Sequence, residues 1–299
     1  MSTVNVRSEL ISFGEYETWF QVHGELRSGL TPLVVLHGGP GFSHDYLRNI
    51  ADVAQSGRAV VLYDQIGTGR STNLPDMPSD FWTFELFIAQ LRGLLRCLEI
   101  EDDFHLLGQS WGGMLAAEFA VQHPSGLRSL VLSNSLSSAE NWGREAARLI
   151  SELPQEQRQV IEEHHAAQTY DDPVFLEAMN FYLARHGCRV TPTPEELQIS
   201  GSYFEKNPSV YQTMWGPAEF FPTGTLKNWT ILDRAHLIEV PTFIMSGRHD
   251  EATPATMEPL MKRIAQVSWE IFEESSHVPF IEERDLYMAK LNEFLASCD

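Results

Sequence analysis

The chain has 299 residues, 43% of them hydrophobic, enough for a large buried core in one or two domains. With 41 acidic against 21 basic residues, its formal net charge is −20. That balance speaks against nucleic acid and anionic membrane surfaces, which reward clustered Lys and Arg, while a negative field would draw cationic molecules such as free amines. Cys97, Cys188 and Cys298 are too few and too scattered for a disulfide framework or a zinc spacing. The start, MSTVNVRSELISF, lacks the basic opening and apolar run of a leader, and no apolar stretch approaches membrane-spanning length. A cytoplasmic setting is therefore expected.

Two alternating stretches, SELISF and YETWFQVHG, predict an opening hairpin. PLVVLHGG reads as a buried strand running into glycines, and AVVLYDQIGTGRS repeats that design. Between Thr83 and Leu98 the apolar residues Phe84, Phe87, Ile88, Leu91, Leu95 and Leu98 recur at helical spacing. DFHLLGQSWGGMLAAEFAVQHP reads as strand, sharp turn and helix, and LRSLVLSNS as another strand. From about Ser137 to Ala235 the alternation stops, giving way to polar helical segments and an aromatic-rich section. It resumes at VPTFIMSGRHD, with a helix near PATMEPLMKRIA, a strand at SWEIF and a closing helix from about Glu282 to Ala296. Strands alternating with helices imply an α/β fold with a mostly parallel central sheet flanked by helices. The expected division is a first core segment 1–136, an inserted helical cap 137–235 and a second core segment 236–299.

Gly108-Gln109-Ser110-Trp111-Gly112 fits G-x-S-x-G in the strand–turn–helix context that this motif requires. The glycines permit a sharp turn that lifts the Ser110 hydroxyl above the sheet. The helix after it aims backbone N–H groups at developing negative charge. Serine needs a base, and His277, in the loop of ESSHVPF before the last helix, is the candidate. Asp250, ending the strand before the one that leads to His277, would hold the imidazole in its tautomer, which completes the chain order Ser…Asp…His. The oxyanion would be held by the N–H groups of Trp111 and of Gly39 in His37-Gly38-Gly39-Pro40-Gly41. His37 is expected to brace that loop. The adjacent acids of RHDEATP leave three readings open: a metal site, an acid–base pair, or two acids with separate tasks.

LHGGPGFSHDYL, YDQIGTGRS, GQSWGG, GRHDEATP and SSHVPF, in that order over nearly the whole chain, resemble the proline iminopeptidases and the related amino-acid amidases. The resemblance implies an α/β-hydrolase fold with a helical cap, an active site between core and cap, and no metal or other cofactor. It implies cleavage after an N-terminal residue bearing a free amine, often proline, in a small peptide or an amino-acid amide. It also implies that two acids bind this amine: Glu251, directly after Asp250, and Glu219 in the cap segment MWGPAEF. Asp45 is weighed as a third amine contact against a helix cap, with the cap preferred. The cap aromatics Phe181, Tyr203, Phe204, Trp215, Phe220 and Phe221 are read singly as packing. The competing expectations are an esterase, lactonase or biosynthetic deacylase on the same three residues, and a non-catalytic binding protein on a hydrolase fold.

Overall fold

In the computed structural model, which describes residues 4–299, a single sheet runs through the molecule. Its strands are β1 (Val6–Phe13), β2 (Tyr16–His23), β3 (Leu33–Leu36), β4 (Val60–Tyr63), β5 (Phe104–Gln109), β6 (Leu127–Ser133), β7 (Thr242–Gly247) and β8 (Val267–Phe272). Their order across the sheet is β1-β2-β4-β3-β5-β6-β7-β8. β1 and β2 form the antiparallel hairpin, β2 joins β4 antiparallel, and every later pairing is parallel. The central strands read as unbroken apolar runs, LVVL in β3 and VVLY in β4, because helices cover both faces and every side chain is buried. β2 sits nearer the edge and shows alternating burial.

The helices are α1 (Phe84–Cys97), α2 (Trp111–Ala120), α3 (Ala139–Ser151), α4 (Gln155–Ala167), α5 (Pro173–His186), α6 (Glu195–Lys206), α7 (Ser209–Met214), α8 (Pro254–Met257), α9 (Pro279–Glu282) and α10 (Arg284–Ala296). A 3₁₀ stretch covers His44–Ser56. The Thr83 side chain caps α1 by accepting from Leu86 N at 3.2 Å. α2 is buried along its whole length, which explains why WGGMLAAEFA has no polar face.

Helices α3 to α7 all lie between β6 and β7. The two ends of this insertion are tied together where it leaves and rejoins the core. Ala139 N–H donates to Trp229 O at 2.9 Å and Ile231 N–H to Ser137 O at 3.1 Å. Nearby, Glu118 on α2 receives both guanidinium nitrogens of Arg234 at 2.6 Å and the Trp229 indole at 2.8 Å. A bidentate charged pair fixes direction as well as distance.

Two expected helices differ in outcome. The one near PATMEPLMKRIA shortens to α8 and a 3₁₀ turn over Glu258–Lys262, because Pro259 has no N–H to continue the ladder. The closing helix expected from about Glu282 runs as α10, and the short α9 precedes it, parted from it at Glu283, whose backbone is non-helical at φ −124°, ψ 47°. Its carboxylate accepts from Glu274 N at 3.1 Å and Ser275 Oγ at 2.6 Å, while Glu282 accepts from Ser276 N at 2.6 Å. The break lets two acids hold the loop that carries His277.

Candidate active site

Ser110 stands between β5 and α2 at φ 55°, ψ −123°, a backbone region that L residues rarely occupy. The positive φ falls on the serine itself. The flanking glycines serve close packing instead: a Cβ on Gly108 would lie 2.1 Å from Gly112 O, and one on Gly112 would lie 2.2 Å from Leu36 O. The elbow is held by Ser110 N–H donating to Ser133 O at 3.0 Å and by Ser135 Oγ donating to Ser110 O at 2.8 Å.

His277 Nδ1 donates to Asp250 Oδ1 at 2.7 Å, and Asp250 is buried at the end of β7. The same Oδ1 accepts Ala252 N–H at 2.8 Å, and Oδ2 accepts the Asn134 side chain at 2.7 Å. Asn134, at the end of β6, also donates to Ser276 O at 3.2 Å and so ties the aspartate to the histidine loop. With Nδ1 engaged, Nε2 is the nitrogen left to take a proton. Burial alone would lower the His277 pKa. The charge and hydrogen bond of Asp250, then the charges of Glu251 and Glu219, outweigh it and raise the pKa to about 9. Among the described residues Ser110 Oγ makes no hydrogen bond, but Ser110 and His277 line one cavity. Such contacts commonly tighten only when substrate is bound.

Gly39 lines the same cavity, and Trp111 directly follows Ser110 at the start of α2. Neither N–H donates to another protein atom among the described residues. Gly39 has φ +113°, and a Cβ there would lie 2.6 Å from Gly41 N, so only glycine fits. His37 braces this loop: Nδ1 donates to Gly38 O at 2.9 Å, and Nε2 accepts Gln65 N–H at 2.9 Å. Burial lowers the pKa of His37 to about 4, which keeps it neutral. A second brace runs through Tyr46, whose hydroxyl accepts Gly38 N–H at 2.6 Å and donates to Gln109 Oε1. Gln109 Nε2 continues to His277 O at 3.2 Å, so the glycine loop and the histidine loop are joined.

The cavity has a volume of about 560 Å³, and both Glu219 and Glu251 line it alongside Ser110 and His277. Tyr211 donates its hydroxyl to Glu219 Oε2. The Glu219 carbonyl is gripped by the indoles of Trp142 at 3.1 Å and Trp215 at 2.9 Å. Glu251 N–H donates to His186 O at 3.1 Å, linking it to the end of α5. Burial pushes the Glu251 carboxyl well up, with Glu219 adding to the effect, and burial likewise raises Glu219. Two buried carboxyls without a resident cation are costly to ionise, and a docking cation offsets that cost. Among the described residues no cluster of three or more His, Cys, Asp or Glu could hold a metal ion.

Asp45 neither caps a helix nor reaches the cavity. It is fully buried and pairs with Arg48, with Arg70 at 2.7 Å and with Ser43 Oγ at 2.7 Å beneath the glycine loop. The six cap aromatics singled out in the sequence do not line the cavity; Phe42, Tyr46 and Tyr211 are the rings that do. Asn134, Tyr46, Gln109 and Tyr211 escaped sequence reasoning. The one local signal was for Asn134, an asparagine ending a strand, where it takes φ 47°.

The chain matches the model of the alpha/beta hydrolase fold family over residues 31–284. It is 38% identical to the proline iminopeptidase of Lactobacillus helveticus (strain DPC 4571), covering 96% of this chain and 97% of that one. The crystal structure of VinJ superposes with a TM-score of 0.96 at 43% identity, covering 98% of this chain and 99% of that one. The crystal structure of the proline iminopeptidase from Mycobacterium smegmatis superposes with a TM-score of 0.91 at 43% identity, covering 97% and 98%.

Proposed function

The chain belongs to the proline iminopeptidase family of α/β-hydrolases, and on that premise we propose that it is a serine aminopeptidase or amidase for substrates with a free α-amine. The observation that carries this reading is a cavity walled at once by Ser110 and His277 and by the buried carboxyls of Glu219 and Glu251. A protonated amine entering such a site must be paired, and two carboxylates give strong charge-assisted hydrogen bonds. Held there, the amine sets the distance of the adjacent carbonyl from Ser110.

In the reaction, the Ser110 hydroxyl attacks this carbonyl while His277 Nε2 takes its proton. The N–H groups of Gly39 and Trp111 hold the oxyanion, and Asp250 pairs with the imidazolium. His277 then gives its proton to the leaving amine as the C–N bond breaks. Water, deprotonated by the same nitrogen, releases the amino acid from Ser110. Docking of the ammonium neutralises Glu219 and Glu251 and so removes part of what holds a proton on His277 in the empty site. The substrate thereby helps to free its own base.

A serine-directed fluorophosphonate tests the assignment of the nucleophile. It should label Ser110 alone and abolish release of nitroaniline from alanyl and prolyl 4-nitroanilide. Labelling elsewhere, or turnover surviving in Ser110→Ala, would remove it.

A further inference from the structure

Each acid in the cavity has a tyrosine from the cap beside it, but only one of the two pairs is joined. Tyr211 donates to Glu219. Tyr182, on α5, is fully buried, and its hydroxyl has no hydrogen-bond partner. Glu251 Oε2 is likewise buried without a partner. A phenol and a carboxylate are rarely both left orphaned inside a protein, because each then bears its desolvation cost unrelieved.

The packing puts these two orphans in one neighbourhood. The Tyr182 ring lies 4.8 Å from the ring of His186, one helical turn further along α5. The His186 carbonyl is the group that accepts Glu251 N–H. On its other side the Tyr182 ring meets Phe220 edge-on at 4.7 Å, and Phe220 directly follows Glu219. Tyr182 is thus wedged between the two segments that carry the acids. It does not line the cavity, whereas Glu251 does.

We propose that Tyr182 is the positioning residue of Glu251: unbonded in this structure, its hydroxyl turns to donate to Oε2 once Glu251 ionises, and it leaves Oε1 to face the substrate amine. The inference rests on the amine-binding role of Glu251 given above. The bond matters most when Glu251 is charged, which is the state an ammonium selects. Among the charged groups acting on Tyr182, Glu251 is foremost, followed by Glu219 and Asp250, with Arg148 opposing them. His186 and His249 complete the titratable surroundings: His186 Nδ1 donates to His249 O at 2.8 Å and is thereby engaged.

Tyr182→Phe keeps the ring, and with it both aromatic contacts. It should raise KM for alanyl 4-nitroanilide about tenfold with kcat nearly unchanged, the scale of one hydrogen bond to a charged group. Hydrolysis of 4-nitrophenyl acetate, which has no amine, should be unaffected. Without its donor the Glu251 carboxylate is harder to form, so KM for the anilide should rise more steeply toward acid pH than in the wild type, while KM for the acetate should not. In a Glu251→Gln background, Tyr182→Phe should add nothing further. Equal losses on acetate and anilide would mark Tyr182 as merely structural, and an unchanged KM and pH profile would overturn the proposal outright. Glu251→Gln alone separates the two layers. If it fails to discriminate between anilide and acetate, the amine-binding reading falls; if it discriminates while Tyr182→Phe does not, only the role of Tyr182 falls.

Discussion

Asn134 and His277 meet at the two oxygens of Asp250: the amide donates to Oδ2 and the imidazole to Oδ1, each at 2.7 Å. The carboxylate is therefore held from both sides, and its geometry does not depend on the histidine. Asp250→Asn should lower kcat about 10⁴-fold on every substrate, with or without an amine, because the wrong imidazole tautomer is then favoured. Asn134→Ala should cost far less, about tenfold, through a less well fixed aspartate. Steady-state kinetics on alanyl 4-nitroanilide and 4-nitrophenyl acetate check both. A loss confined to the anilide in Asp250→Asn would contradict the role given to Asp250.

The pH dependence follows from the charges around His277. Its pKa in the empty site is raised to about 9 by Asp250, Glu251 and Glu219 against the opposing effect of burial. The acid limb of kcat/KM reports the free enzyme, and that of kcat reports the complex. For a free-amine substrate the kcat limb should lie at lower pH than the kcat/KM limb, because the bound ammonium offsets the two glutamates. For 4-nitrophenyl acetate the two limbs should coincide. Glu251→Gln should move the free-enzyme limb down, since one source of negative charge is gone.

The same shift bears on stability. A histidine whose folded pKa lies above its unfolded value of 6.5 contributes stability that is fully present below pH 6.5 and is lost as pH rises through about 9. Glu219 and Glu251, raised by burial, act in the same direction, since ionising them inside the cavity is costly. The Tm of Ser110→Ala should therefore fall between pH 6.5 and 9, and the fall should be smaller in a Glu219→Gln/Glu251→Gln background. Equal slopes in the two proteins would show that the cavity charges are not its source.

Backbone strain gives a test that needs no substrate. Ser110 holds φ 55°, ψ −123°, which glycine adopts at little cost, so Ser110→Gly should be about 1 kcal/mol more stable than Ser110→Ala. Gly112→Ala should cost about 3 kcal/mol or prevent folding, since its Cβ would strike the Leu36 carbonyl. Gly143, in α3, has open space where a Cβ would stand, and Gly143→Ala should gain about 0.5–1 kcal/mol. Thermal melts of the four proteins decide these orderings.

The parts of the molecule that sequence reveals are those whose physics is local. Buried parallel strands need unbroken apolar runs, so β3, β4, β5 and β7 are legible, as is the elbow, whose G-x-S-x-G pattern is contiguous. Pro259 is a local signal too, yet the helix expected over PATMEPLMKRIA passes over it. What the sequence pattern does not carry is convergence across long separations. Asn134 reaches Asp250 over 116 residues, and nothing in the LVLSNS strand specifies that partner. Asp45 reads as a surface cap because its partner Arg70 lies 25 residues further on. Tyr182 meets Phe220, the neighbour of Glu219, through the fold of the inserted helices, and periodicity holds no record of it. The resemblance to known enzymes pointed to the two acids; neither their neighbours nor the indoles gripping Glu219 were within its reach.

The central claim is that the two buried acids make this a hydrolase for free amines. It is tested most directly by kcat/KM for alanyl and prolyl 4-nitroanilide against their N-acetylated forms, in the wild-type protein and in Glu251→Gln. The account predicts that the free amine is preferred by about 100-fold or more in the wild type, the scale of one buried charged pair. That preference should collapse in the variant while hydrolysis of 4-nitrophenyl acetate persists. N-acetylated anilides cleaved as fast as the free amines by the wild-type protein would contradict it.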